Sequence, residues 1–451
     1  MPPAAAMPSK ASTGPAPMSL PPHLAAVAAL YREPDWLLAH RRQSLAVYGQ
    51  TPLPDRVTHL WRYTDPAVFA VGDASPIPVP PASGTPREFP DVLAAGLRSE
   101  ALAAAVYVRD GLVWKIALDQ SLVDRGVLVQ DLHAAAIEHP DLVQEHLGSL
   151  VGPDFGRLEA FANALWTGGL LIYVPRGVEI DRPMHIVTAQ PVGGSARAGR
   201  LLVIVEEQAS LILIDEYGEG TNGSGESVFT NMLVELAVGP AARLKYAPIQ
   251  NWNQQTVSHL TQRARLDADA QLETVLTAIG ASVSKVDCGA LLAGPGAESN
   301  IFGLAIADGS QHYDHHTVHH HLAGKTRSDL HFKVALRERA ESVYTGLIRI
   351  EDKAAYCEAY QENRNLILSP QAKAETIPEL EILNNEVRCT HGATVGKIDP
   401  QEIFYLESRG LDSTEAVRLI VAGFVGPIID HLPSTAQDRL RDVIVRRLEG
   451  R

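Results

Sequence analysis

The run RARLDADAQL, residues 263–272, decides the fold. In it Arg263, Arg265, Asp267, Asp269 and Gln271 alternate with Ala264, Leu266, Ala268, Ala270 and Leu272. Successive side chains of an extended chain point to opposite faces, so a period of two predicts a strand with one wet face and one buried face. LHFKVAL (330–336) repeats the pattern, with Leu330, Phe332, Val334 and Leu336 inward and His331 and Lys333 outward. LLVIVE (201–206), SLILIDEY (210–217), VFTNMLVEL (228–236), VYTGLIRI (343–350) and NLILS (365–369) read as further strands. From about residue 170 to 400 such runs recur every ten to seventeen residues or so, with no helical pattern of comparable length among them. A doubly wound α/β fold would interleave helices and is excluded. A large sandwich and a stacked β-solenoid remain, and small inward residues such as Ala264 and Ala268 suit the crowded interior of a solenoid.

Working outward, residues 166–405 are expected to form this β core. On the N-terminal side, residues 1–22 read as a disordered leader and 23–165 as a helical and mixed domain. Within the latter, 24–49 carries apolar residues at helical spacing, interrupted by Pro34, and SPIPVPPASGTP (75–86) reads as a linker. The Gly-rich GEGTNGSGES (218–227) reads as a surface loop. On the C-terminal side, 406–451 turns helical. Ser413 is a suitable N-cap, and Leu419, Ile420, Phe424, Ile428 and Ile429 supply an apolar face. STAQ (434–437) has the form of a capping box, and Leu440, Val443, Ile444 and Leu448 form a second stripe. Burying each stripe residue contributes roughly 1.5–3 kcal/mol, so the stripe packs either on the chain's own strands or on a partner.

The 451 residues carry a formal charge of −14 and no basic stripe, which argues against a nucleic-acid partner. Cys288, Cys357 and Cys389 contain no C-x-x-C pair, so neither a disulfide framework nor a self-contained zinc ribbon is expected. The longest apolar run, LIVAGFVGPII (419–429), is too short to span a membrane, and the N-terminus lacks the pattern of a secretory signal. A cytoplasmic protein is expected.

HLAGKT (321–326) resembles the end of a P-loop, but His319 stands where the first glycine belongs, so no nucleotide-hydrolysis motif is visible. The run HYDHHTVHHHL (312–322) holds six histidines. On a strand His312, Asp314, His316 and His320 share one face, and His315, His319 and His321 the other. Consecutive ligands on one strand do not wrap a tetrahedral ion, so a solvated histidine-rich strand edge is favoured over a metal site. A metal-dependent β-helical enzyme using His312–His321 is the alternative of a different class. Further on, Cys389 and His391 stand at i and i+2, on one face of a strand. Both are ligand types, yet a structural zinc site needs four ligands and a catalytic one three. By spacing alone, a small buried thiol and a turn histidine are the favoured reading.

SDLHFKVAL, VYTGLIRIEDKA, YQENRNLILS, AETIPELEI, VRCTHGATVG, QEIFYLESRGL and AVRLIVAGFVGPII, in this order between 328 and 429, closely resemble the core of the SufB/SufD family of iron–sulfur cluster assembly proteins. PDWLLAHRRQSLAVYGQTPLP and LWRYT (34–64) extend the resemblance to the N-terminal region. SufB-like chains carry a cysteine followed by D-S late in the β domain, whereas CTHGATVG has the SufD-like form. The histidine run is denser than the family pattern requires, and Cys288 and Cys357 match no family motif. The resemblance implies a right-handed parallel β-helix between helical domains and a non-ATPase scaffold, not an enzyme. It also implies a SufB-like paralogue as partner and a SufC-like ATPase docked on the C-terminal helices, with a homodimer possible in isolation. His391, with Cys389 as the weaker candidate, would contribute to a transient iron–sulfur cluster shared with SufB, none being held stably by the isolated chain. If the ATPase docks on the 413–448 stripe, removing 413–451 leaves the β core folded.

Overall fold

The computed structural model describes residues 20–70, 88–109, 111–190, 194–219 and 227–448. Most of the leader, the linker at 75–86 and most of the Gly-rich run lie outside the described residues. Helices α1 (Pro22–Tyr31) and α2 (Asp35–Gln50) break at Pro34, whose fixed φ and missing amide end one helix and start the next. There follow α3 (Asp91–Arg98), β1 (Ala104–Arg109), β2 (Leu112–Leu118), α4 (Gln120–Val123), β3 (Leu128–Asp131), α5 (Leu132–Glu138), α6 (Pro140–His146) and α7 (Arg157–Leu165). The body begins with β4 (Gly168–Val174), β5 (Met184–Ala189), β6 (Ala196–Val205), β7 (Ser210–Glu219), β8 (Val228–Val238) and β9 (Arg243–Gln250). It continues through β10 (Thr256–Leu266), β11 (Gln271–Ala278), β12 (Val283–Leu292), β13 (Glu298–Ala307) and β14 (His312–His321). Its last strands are β15 (Arg327–Leu336), β16 (Glu341–Ile350), β17 (Glu358–Ile367), β18 (Lys373–Ile382) and β19 (Arg388–Lys397). Three helices end the chain: α8 (Pro400–Ser408), α9 (Ser413–Ile429) and α10 (Ser434–Leu448).

Consecutive strands of the body lie in different sheets, and each pairs in parallel with the strand two places on. One sheet has ten strands in the order β19-β17-β15-β13-β11-β9-β7-β5-β1-β2, the other nine in the order β18-β16-β14-β12-β10-β8-β6-β4-β3. The result is a parallel β-solenoid of about eight turns, mainly β, with helices at both ends of the chain. A sandwich is thereby excluded. RARLDADAQL straddles a corner: β10 ends at Leu266 and β11 starts at Gln271. Arg263, on the expected wet face, is buried against Asp287, and Ala268 is half-buried and not part of the lumen core. The turn, with Asp269 at φ 57, swings outward and returns Ala270 to the inside. The same left-handed residue recurs at Gln208, Ala241, Lys325 and Tyr356. It aims each corner amide at the next corner's carbonyl, as in Ala241 N to Ala268 O (2.8 Å) and Asp269 N to Pro295 O (2.9 Å). These bonds offset the roughly 1–2 kcal/mol that a left-handed non-glycine residue costs.

The lumen is the main core. Leu330, Phe332, Val334 and Leu336 of β15 are buried in it, as their alternation predicts. Gly303 is required there, since a Cβ would lie 2.0 Å from the Phe332 ring. The outer face of the nine-stranded sheet is covered at its start by α1, α2, α5 and α7.

The C-terminal stripe has found its cover within the chain. Val421, Val425, Ile428 and Ile429 of α9 and Leu440 and Ile444 of α10 pack on Ile214, Ile249, Val275, Leu304 and Ile306 of the ten-stranded sheet. Leu419 faces solvent instead. The apolar stripe is therefore not a free docking face, because a parallel sheet needs cover on both sides. Asp412, not Ser413, caps α9, in a reciprocal box with Glu415. The Gln437 amide bonds the Asp430 and Leu432 carbonyls, tying α10 to the end of α9.

Candidate functional site

The solenoid ends open. β18 and β19 are the outermost strands of their sheets, each paired on one side only among the described residues. In a parallel ladder, paired residues share a face. Ala359, Gln361, Asn363 and Asn365 of β17 lie opposite Cys389, His391, Ala393 and Val395 of β19. Those β17 residues continue the inward face of Leu330, Phe332 and Val334, so Cys389 and His391 stand on the lumen-facing side of the last rung. With no further rung above, His391 is exposed and Cys389 half-buried against Ile348, Ala359 and Leu380. Burial pushes the Cys389 thiol up to about 11, so it is protonated at neutral pH. A Cβ on Gly392 would meet only the Tyr360 hydroxyl, at 3.9 Å. The chain's own packing therefore does not demand a glycine at 392.

Beneath this rung the lumen becomes polar. Gln361 donates to the Gly346 carbonyl (3.2 Å), Asn365 to Asn363 Oδ1 (2.6 Å) and to the Thr394 carbonyl (3.1 Å). No site role for Gln361, Asn363 or Asn365 is expected from the sequence. The signal was present in QENRN (361–365), a strand polar on both faces, which marks the place where the apolar core gives out.

The histidine strand is not a solvated edge. β14 lies between β12 and β16, with His315, His319 and His321 in the lumen and Asp314 and His316 buried on the outer side. Residues of such a strand are buried on both faces, which alternation alone does not reveal. The imidazoles go to separate partners: His319 to the Ser299 hydroxyl (3.1 Å), His321 to Thr326 (2.7 Å) and Ser328 (2.9 Å), His320 to Glu351 (2.7 Å) and His316 to Asp287 (2.7 Å). His315 packs against the Phe332 ring (4.9 Å between centroids), and neither of its nitrogens has a hydrogen-bond partner among the described residues. Burial lowers His315 and His321 to about 4 and His319 to about 3, keeping all three neutral. Burial also works against the Asp287 carboxylate, but Arg263 and His316 outweigh it and hold the group well below the usual range. Among the described residues no three His, Cys, Asp or Glu side chains converge as a metal site. None of their helices is long and apolar enough to cross a membrane.

The family model described as SUF system FeS cluster assembly, SufBD core domain, matches residues 186–424, more than half of the chain. The SufBD protein N-terminal region matches 99–186. The iron–sulfur cluster assembly protein SufB of Bacillus subtilis (strain 168) is 27% identical over 445 residues, covering 94% of this chain and 92% of that protein. SufD of the same organism is 28% identical over 427 residues, covering 93% and 95%. An iron–sulfur cluster assembly SufBD family protein of Staphylococcus epidermidis (strain ATCC 12228 / FDA PCI 1200) is 25% identical over 437 residues, covering 94% and 92%. Overall identity to SufB and to SufD is nearly equal, but both matches run almost end to end, across the solenoid, its open rung and the flanking helices. This chain belongs to the SufBD family of iron–sulfur cluster assembly proteins.

Proposed function

We propose that the chain is the SufD-type, non-ATPase scaffold subunit of a SufBCD-type complex, working in the cytoplasm. It pairs with a SufB-like paralogue through the open rung, and a nascent cluster is built where the two chains meet. The observation that carries this reading is the exposed His391 on the lumen-facing side of an edge strand. A lone imidazole beside a protonated thiol is too few ligands for a closed site, so a second chain completes it. His391 is the better ligand, because Cys389 must first lose a proton that burial makes hard to remove. Clusters are held mainly by thiolates, and an imidazole in their place retunes the site, which suits a platform that must release its product. The CTHGATVG form supports SufD over SufB, and Gly392 leaves room for close approach of the partner's backbone.

A SufC-like ATPase would dock on α8 and on the outer faces of α9 and α10, since the inner faces of the latter two are covered. Phe404 (72% exposed), Tyr405 and Leu419 are available there. The test is anaerobic co-purification of the tagged full chain from cells, with partner identification and assay of iron and sulfide. Recovery with SufB-like and SufC-like chains, and cluster only in the complex, is the expected result. Stoichiometric metal on the isolated chain, with no such partners, would overturn it.

A further inference from the structure

The segment between α2 and Phe69 leaves the body of the molecule and returns to it. At its start the Arg157 guanidinium of α7 binds the Tyr48 and Thr51 carbonyls. At its end Phe69 packs edge-on against Phe229 of β8 and His259 of β10, with centroids 6.2 and 6.1 Å apart. In between, it lies on the outer face of the nine-stranded sheet. The Thr64 hydroxyl bonds Asp314 and His312 of β14, and Lys285 Nζ of β12 donates to the Leu60 carbonyl (2.8 Å) beneath the Trp61 ring. His59 Nε2 meets Glu379 Oε1 on β18, the terminal strand, at 2.7 Å. The tip of the excursion is thereby held at the rim of the open rung.

The tip is a built turn. Asp55 Oδ1 accepts from the Val57 and Thr58 amides, both at 3.0 Å, and from the Thr58 hydroxyl at 3.2 Å. That turn holds Val57 out at 90% exposure, the highest of any large apolar side chain among the described residues. Arg56 beside it is exposed as well. An isolated exposed valine is ordinary, but one fixed by an Asx turn, anchored on three strands and set at the unpaired edge of a sheet is placed for contact.

We propose that the tip Asp55–His59 is a second docking contact for the solenoid chain that stacks on β18 and β19, with Val57 entering an apolar recess of that chain and Arg56 facing a carboxylate beside it. The inference rests on the reading that a SufB-like paralogue pairs with the open rung. It adds a contact set off from the ladder edge, so that register and partner identity are read twice, once by backbone pairing and once by side chains. Both chains are used at full length, and affinity is measured at physiological salt for the wild type, Val57→Asp and the double variant Arg56→Glu, Val57→Asp. Each variant is expected to bind at least about tenfold more weakly with an unchanged unfolding midpoint, the loss of one anchor side chain. In a Val57→Cys variant, alkylation at position 57, followed by peptide mapping, is expected to slow when the paralogue is added. Unchanged affinity together with unslowed alkylation overturns the tip contact alone. A wild-type chain that does not bind the paralogue overturns the pairing itself, and the tip contact with it.

Discussion

Burial on both sides of a strand decides what its histidines can do. His315, His319 and His321 are neutral in the lumen, with values near 4, 3 and 4 against an ordinary 6.5. Lowered folded values mean that the unfolded chain takes up protons first as the pH falls. Stability is then fully present above about 6.5 and is lost progressively toward pH 4. His315→Gln is expected to make that loss shallower by up to about 1.4 kcal/mol per pH unit, as read from urea unfolding between pH 7 and 4.5. An unchanged slope would mean that His315 already binds its proton in the folded state. At this scale the sequence was half legible. The i, i+2 geometry of Cys389 and His391 and the two faces of the histidine run follow from period two alone. The exposure of those faces does not, because it depends on β12 and β16, which are remote in the chain, and on the Trp61–Thr64 segment lying over Asp314.

Elements were legible wherever one local signal dominated. Pro34 splits α1 from α2, and LHFKVAL is read correctly because its inward residues are all apolar. RARLDADAQL was harder, since a corner that resumes the inside-outside alternation in phase looks like an uninterrupted strand. The apolar stripe of α9 and α10 was visible, but not its partner, because a stripe fits an own sheet and a foreign surface equally. Its actual cover reverses the expectation for truncation. Removing residues 413–451 bares Ile214, Ile249, Val275, Leu304 and Ile306, so the truncated chain is expected to aggregate on expression. A soluble, monodisperse truncated protein by size exclusion would contradict the packing described. Loss of the α9 cap in Asp412→Ala is expected to cost about 1 kcal/mol in denaturant unfolding, with partner binding retained.

At the scale of the molecule, the solenoid sets one open rung at the far end of a rigid stack, and α9 and α10 bind the side of that stack. α8 joins the two: it follows β19 after Ile398 and Asp399, has no buried residue, and meets α9 through Gly410 at φ 97. A force applied to the C-terminal helices thus has a short covalent path to the strand that carries His391. In the proposed function this rung contributes one ligand to a site completed by another chain. The direct measurement is iron and acid-labile sulfide per complex after anaerobic assembly of the His391→Ala chain with the SufB-like and SufC-like partners proposed for it, with size exclusion as the control for assembly. His391 is exposed and supports no core, so the complex should form normally while its cluster content falls sharply, and Cys389→Ser should lower it less. A normal cluster content in the His391→Ala complex would contradict the account and leave CTHG as a strand end with no ligand role.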